Sequence, residues 1–519
     1  MSSRCYHRNK KTGVTYVYSV ESYWDKEKKA PRNRQVCLGR LDEATGDVVP
    51  SRRRDRVIVR ATAAGAGVTV RTAGPALLLD RLASDCGLAN MVAKCFPECA
   101  DELMSLVYFI VHKGLALSHI TQWSAATLHP YGGVIASQRV SELLAYISAD
   151  NRERFLSLWL GKVAEVDYLC YDITSVSSYA RNNSYVKFGY NRDKEPLPQI
   201  NLAMVFGQKL RLPAYYRRMP GNITDVATLG TTLESLRRIG ARSMNLILDR
   251  GFYSEANINA LLDGRHTFTV AVPAGRKWAE RIIDNHVERV ASPENYISID
   301  DSEALYAATT LHKWGAKGRR TYLHVYYNAK QAAEAYDLLT RDLIRWKDEV
   351  ESGRRRAAHE DAYARFLVVK DTQKRGLKVS FNEKEIQDYR KRRAGFFCIL
   401  TNGYMDASKT LMTYRAKEAV ENCFDDLKNQ LDMNRLRVHS PAAMDNRLFI
   451  QFLALILICQ IRNVIQSDKS LRNLTVREVM EEMETIVKIN YDHQYGAVYT
   501  ERTPTHRNIM AAFNLDLPA

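Results

Sequence analysis

Three carboxylates stand where an acidic side chain has no structural reason to be. Asp172 closes the apolar run Tyr168-Leu169-Cys170-Tyr171, and Asp249 closes Asn245-Leu246-Ile247-Leu248. Glu421 falls in a helical stretch with Tyr414, Lys417 and Lys428. An unpaired carboxylate is costly inside a doubly covered strand, whereas the carboxyl ends of strands in open α/β sheets are where such folds place ligand chemistry. Two carboxylates at strand ends and a third on a helix are what a pair of hard divalent cations needs for phosphoryl transfer. The plainer alternative has both aspartates capping the turns that follow them. It also makes Lys417–Glu421 a surface ion pair worth roughly a few tenths of a kcal/mol. The three together weigh against that alternative.

The helical stretch has its own logic. Lys417 precedes Glu421 by four residues, and Tyr414 and Lys428 lie seven before and seven after it. At 3.6 residues per turn, a single helix would carry all four on one face. Phe424, Leu427 and Leu431 form the adjoining stripe that would dock on a sheet.

The elements that must position these groups follow from periodicity. Residues 1–70 alternate apolar and polar side chains, as in Thr15-Tyr16-Val17-Tyr18-Ser19-Val20, and read as short basic hairpins expected to bind DNA. The run Arg52-Arg53-Arg54 in that region is either a solvated basic face or a grip on the DNA backbone. Residues 71–160 have helical spacing, with Leu77, Leu78, Leu82 and Leu88 as the pattern.

Strand patterns dominate from 161 to 275: 166–174, 200–206 and 214–219 are followed by a helix at 225–239 that ends at Gly240. Then come a strand at 245–249, a helix capped by Ser254 and a strand at 267–272. From 276 to 393 the pattern breaks. An inserted domain is expected there, with a stripe Ala332, Tyr336, Leu339, Leu343, Trp346 and Val350 spaced like a short coiled coil. The core resumes over 394–466, with a strand at 396–400 and an apolar helix near 447–462, and 467–519 reads as a helical tail.

Bulk properties narrow the partner. The 519 residues carry a formal charge of +16, and residues 1–60 hold 15 Lys and Arg against 7 Asp and Glu, a net of +8. That favours a polyanionic partner. The nine dispersed cysteines read as reduced core thiols of a cytosolic protein, and Cys95 and Cys99 lack the second pair that zinc requires. The longest apolar run, 448–461, contains Gln451 and Gln460 and is flanked by Arg447 and Arg462, so a buried core helix explains it better than a membrane span.

The residues then resemble a family. Tyr414-x2-Lys417-x3-Glu421-x6-Lys428 is similar to the Tyr-x2-Arg-x3-Glu-x6-Lys signature of the large bacterial insertion-sequence DDE transposase family. Asp172-Ile173-Thr174 resembles its first-aspartate strand and Leu246-Ile247-Leu248-Asp249-Arg250-Gly251-Phe252-Tyr253 its second. Gly221-Asn222-Ile223-Thr224-Asp225 resembles a segment found between them. One position departs: Lys417 stands where the family has arginine, which keeps the charge and loses the bidentate fork.

The resemblance implies an α/β fold with an RNase H-like catalytic core, a mixed sheet flanked by helices, interrupted by the insertion. It implies that Asp172 and Asp249 bridge two Mg²⁺ ions roughly 3.5–4 Å apart, Mn²⁺ substituting, with Glu421 completing the site. Lys417 and Lys428 would neutralise phosphates and Tyr414 would position the cut strand. Lys317, Arg319 and Arg320 form a basic cluster expected to bind DNA, and Trp314 beside it is the candidate to stack a base flipped out near the cut.

The implied activity is cleavage of the inverted repeats at the element's own ends and their joining to target DNA. A homodimer would do this on double-stranded DNA, in the bacterial cytoplasm at the nucleoid, with no membrane involved. Two rival readings remain: an RNase H-like nuclease that cuts without joining, and a domesticated DNA-binding protein that has lost catalysis.

Overall fold

The apolar runs after residue 168 are buried on both faces, as central sheet positions demand. The computed structural model describes residues 3–9, 14–25, 30–41, 48–49, 68–164, 168–180, 183–241, 243–273, 275–298, 304–372, 376–429, 431, 435–436, 440–491 and 497–516. Arg52, Arg53 and Arg54 lie outside them. The chain divides into two compact units, one formed by Met1–Pro75, Ala126–Leu128 and Glu481–Arg507, the other by Ala76–Ala125, His129–Met480 and Asn508–Ala519.

In the first unit, β1 (Ser3–Arg8), β2 (Thr15–Asp25), β3 (Ala30–Leu41) and β4 (Val48–Val49) form an antiparallel meander. A further strand, β5 (Val68–Thr72), lies outside that sheet. Six helices follow in the chain, nearly all of their residues in the second unit: α1 (Gly74–Asp85), α2 (Leu88–Cys95), α3 (Ala100–Lys113), α4 (Ile120–Ala126), α5 (Ser137–Tyr146) and α6 (Ala149–Ala164).

The second unit is built on a mixed sheet. Strands β6 (Leu169–Ser178), β7 (Gln199–Gly207) and β8 (Leu212–Pro220) form an antiparallel meander. Helix α7 (Asp225–Arg238) ends in Gly240 at φ +87°, a left-handed position that glycine occupies at little cost. It leads to β9 (Asn245–Leu248), which joins β6 in parallel. The Ser254 hydroxyl accepts the Asn257 N–H at 3.0 Å and so caps α8 (Glu255–Asp263), which returns the chain to β10 (Thr267–Val272), parallel to β9. The resulting order β8-β7-β6-β9-β10 is the RNase H-like core.

The stretch expected as a separate insertion behaves differently in its two halves. After α9 (Lys277–His286), strands β11 (Tyr296–Ser298), β12 (Ala304–Trp314) and β13 (Arg319–Asn328) extend the core sheet itself. The second half is a small subdomain of α10 (Ala329–Glu351), α11 (Glu360–Phe366), the hairpin β14 (Leu367–Thr372) and β15 (Gly376–Phe381), and α12 (Glu383–Arg392). The stripe of α10 is consumed there. Leu339 and Leu343 pack with Phe366 and Ile386, Val350 packs with Tyr363, Leu367 and Val379, and Trp346 lies against both clusters. It is the core of its own subdomain rather than a seam for a second chain.

Strand β16 (Phe396–Thr401) then pairs antiparallel with both β13 and β10, and closes the extended sheet. Helices α13 (Ala407–Arg415) and α14 (Glu418–Asn429), the short β17 (Arg435–Leu436) and helix α15 (Pro441–Ser467) complete the core. By length and composition α15 could cross a membrane, but 78% of its most apolar window is buried in protein. Phe449 on α15 meets Phe96 and Phe155 with ring centroids 5.5 and 5.4 Å apart.

The stretch expected as a helical tail also carries strands. Beyond α16 (Val476–Glu484), the hairpin β18 (Val487–Tyr491) and β19 (Ala497–Tyr499) pairs through β18 with β5, before α17 (Pro504–Ala512). All nine cysteines are free thiols.

Because Phe449 is fully buried against Phe96 and Phe155, Phe449→Ala is expected to cost about 3–5 kcal/mol. A thermal-shift comparison with the wild type should show a clear drop in the melting midpoint. An unchanged midpoint would mean that α15 is not the core helix described.

Candidate active site

The two aspartates meet through strand register. Tyr171 on β6 pairs with Leu248 on the parallel β9, so the next residue of each chain, Asp172 and Asp249, falls at the same level on adjacent strands. Neighbouring strands lie about 4.8 Å apart. Asp249 directly follows β9. Asp172 does not end its strand: β6 continues through Ser178, because Thr174, Ser175, Ser177 and Ser178 are buried and stay hydrogen-bonded to β7 and β17. Serine and threonine there look like a turn in the sequence and serve as a buried strand in the fold.

The four residues of the helical signature are not on one helix. Tyr414 lies in α13, Lys417 in the junction, and Glu421 and Lys428 on α14. Short-range bonds from Lys417 N to Tyr414 O (3.2 Å) and from Val420 N to Lys417 O (2.9 Å) make the break. Its consequence is local: Tyr414 and Lys417 reach the same carboxylate. The Tyr414 hydroxyl donates to Asp249 Oδ1 at 2.8 Å, and Lys417 Nζ lies 3.1 Å from that oxygen and 3.7 Å from Glu421 Oε1. Glu421, in the first turn of α14, gains from the positive end of the helix dipole.

Asp172, Asp249 and Glu421 line one cavity of about 330 Å³, together with Asp225, Asp425, Arg192 and Lys428. Asp225 and Arg192 were not assigned roles from sequence. They form an ion pair at 2.7 Å, and the one signal for Arg192 was its place in the polar stretch between two strands. Lys428 Nζ is held by both oxygens of Asp193, at 2.6 and 2.7 Å.

Burial pushes the Asp172 carboxyl up to about 6, with neighbouring Asp249 adding to the rise; the Ile173 N–H at 2.8 Å, Arg192 and Lys417 only partly offset it. Burial would raise Asp249 as well, but the Tyr414 hydroxyl and the Lys417 ammonium outweigh it and hold that carboxyl below the usual range. Burial and Asp249 push the Tyr414 hydroxyl up, which keeps it a donor.

The donor set is chemically suited to hard divalent ions. A buried carboxylate with incomplete compensation gains from a cation, and Asp249 and Glu421 already share one positive charge, the Lys417 ammonium. Among the described residues, no three His, Cys, Asp or Glu side chains converge on a single point. Glu421, 60% exposed, leans on Lys417.

The remaining candidates lie elsewhere. Trp314 is buried, donates its indole N–H to Asn259 Oδ1 at 3.0 Å and is enclosed by Tyr253 and Trp278, so its ring is not presented to a base. Arg319 beside it is paired with Asp263 at 2.6 Å, while Lys317 and Arg320 are exposed at the β12–β13 turn.

Residues 169–457 match the family model described as the transposase DDE domain. That is more than half of the 519 residues, and the chain belongs to the DDE transposase family. Among solved structures it is similar to a piggyBac transposase synaptic complex with hairpin DNA, at a TM-score of 0.38 and 12% identity, covering 74% of this chain and 70% of that one. A comparison with curated proteins finds no match.

A carboxyl whose pKa rises on folding, from 3.8 to about 6, binds its proton more tightly in the native state. The stability it contributes is complete below the unfolded value and is lost as pH rises through the folded one. Asp172→Asn in EDTA is therefore expected to melt higher than the wild type near pH 7.5, by the equivalent of up to about 3 kcal/mol. The gap should close near pH 4, and Mg²⁺ should stabilise only the wild type. An equal melting temperature across that range would remove the buried charge from the account.

Proposed function

We propose that this protein is a DNA transposase that binds the ends of its own insertion sequence, cleaves them and joins them to target DNA at a site formed by Asp172, Asp249 and Glu421. The observation that carries the reading is the level pairing of Asp172 and Asp249 on adjacent parallel strands, with Glu421 lining the same cavity. Membership of the DDE transposase family supports the reaction class.

When bound, two Mg²⁺ ions, or Mn²⁺ in their place, supply nucleophile activation and stabilise the leaving oxygen. Asp172 and Asp249 are the residues to hold them jointly, with Glu421 completing the set. Lys417, released from Asp249 and Glu421, would turn its charge to a phosphate. Lys428 would exchange Asp193 for a second phosphate. Tyr414 keeps Asp249 ionised and oriented. The substrate is double-stranded DNA, handled by a homodimer so that one site serves each end, in the bacterial cytoplasm at the nucleoid.

The test uses labelled DNA flanking the reading frame, incubated with protein in Mg²⁺ or EDTA beside Glu421→Gln. Cuts at the two element ends should need the metal and fall by on the order of a thousand-fold in the variant, since a lost metal ligand forfeits several kcal/mol of transition-state stabilisation. Joined products identify a transposase, and cuts without joining identify a nuclease. Binding without cuts, unaltered by the substitution, would overturn the catalytic reading.

A further inference from the structure

The chain joining β6 to β7 holds two aromatic rings in solvent beside the catalytic cavity. Phe188 is 72% exposed and Tyr190 82%. Cations flank them in Lys187-Phe188-Gly189-Tyr190-Asn191-Arg192-Asp193-Lys194. The backbone beneath the rings is fixed. Lys187 and Gln199 exchange two backbone hydrogen bonds, at 3.0 and 2.9 Å, and the Gln199 side-chain amide donates to the Tyr190 carbonyl at 2.9 Å. Gly189 sits so close to Gly221 that a Cβ there would lie 2.0 Å from the Gly221 carbonyl oxygen, so no larger residue fits without moving the strap.

Its position is equally defined. Ser175 reaches the Tyr190 carbonyl at 3.4 Å and lies three residues beyond Asp172 on β6, about 10 Å along the strand. Arg192, two residues after Tyr190, lines the cavity with Asp172. Two large apolar rings, rigidly mounted and left in water, forgo the gain that burial would bring. A rigid aromatic surface among cations matches the π-face of a nucleobase, whose backbone the cations attract.

We propose that Phe188 and Tyr190 form a stacking platform for nucleobase faces exposed at a cut or unpaired DNA end beside the catalytic cavity. This rests on the reading that the site acts on DNA. Such faces come from two sources, the terminal pair of a blunt end or an unpaired strand.

The experiment measures binding in EDTA, without cleavage, to three forms of one sequence: a covalently closed circle, a blunt linear duplex and a duplex with a single-stranded overhang. A 2-aminopurine at the terminal position reports stacking by its quenching. The protein is compared with F188L/Y190L, which keeps apolar bulk and removes both π-faces, and circular dichroism confirms that the variant is folded. The wild type should favour open ends over the circle. The variant should lose on the order of ten-fold in end binding, together with the quenching, and keep its affinity for the circle.

Tighter binding of the overhang identifies an unpaired strand as the source, and tighter binding of the blunt duplex identifies the terminal pair. Unchanged end preference in the variant overturns the platform. So does a variant altered only in self-association by sedimentation, which would assign the rings to a second copy of the chain. Failure of the transposase reading shows separately, as a wild type that binds ends and cuts nothing in Mg²⁺.

Discussion

Two carboxylates forced to lie side by side are the constraint on which the rest of the core depends. Parallel pairing of β6 with β9 fixes Asp172 level with Asp249. A sheet cannot bury two adjacent negative charges without compensation. Several groups near them answer that need: Lys417 and Tyr414 on Asp249, the Ile173 amide on Asp172, and Arg192 close enough to lower it. Asp172 remains the less compensated of the two, which is why burial dominates its titration.

The break between α13 and α14 belongs to the same electrostatics. One continuous helix would carry Tyr414, Lys417, Glu421 and Lys428 on a single face. The tight junction at Ala416 and Lys417 turns Tyr414 and Lys417 toward one oxygen of Asp249 and starts a new helix whose amino end receives Glu421. The third carboxylate is thus set by a helix terminus, while the first two are set by sheet register. The sheet is a rigid mount and the α14 side is an adjustable one, since Glu421 is largely exposed and, among the described residues, its ion pair is with Lys417.

The packing around this mount is conventional in its physics. Helix α15 is apolar along its middle because protein buries most of that stretch, and its Phe449 joins aromatic rings from the helical region. The α10 stripe, which has the spacing of a dimer seam, is satisfied within its own subdomain. Apolar spacing along a helix states that a face must be covered and leaves open which surface covers it. In the same way Trp314 stands among basic residues in sequence but lies in an aromatic cluster with Tyr253 and Trp278, while the exposed rings beside the site are Phe188 and Tyr190.

By itself the sequence determined the strand–helix alternation of the core, because burial on both faces enforces apolar runs such as Leu246-Ile247-Leu248 and because Ser254 and Gly240 mark helix ends by local chemistry. It also singled out Asp172 and Asp249, which strand pairing places level with each other, since an acid after an apolar run is costly wherever the chain goes. Only the tertiary structure decided that Asp172 lies within a strand, that the signature helix is broken, that β11–β13 extend the core sheet and that Arg192 and Asp225 line the cavity. Each of these depends on partners more than twenty residues away, through sheet register, charge pairing or a shared core, and no local pattern of residue types encodes such a partner.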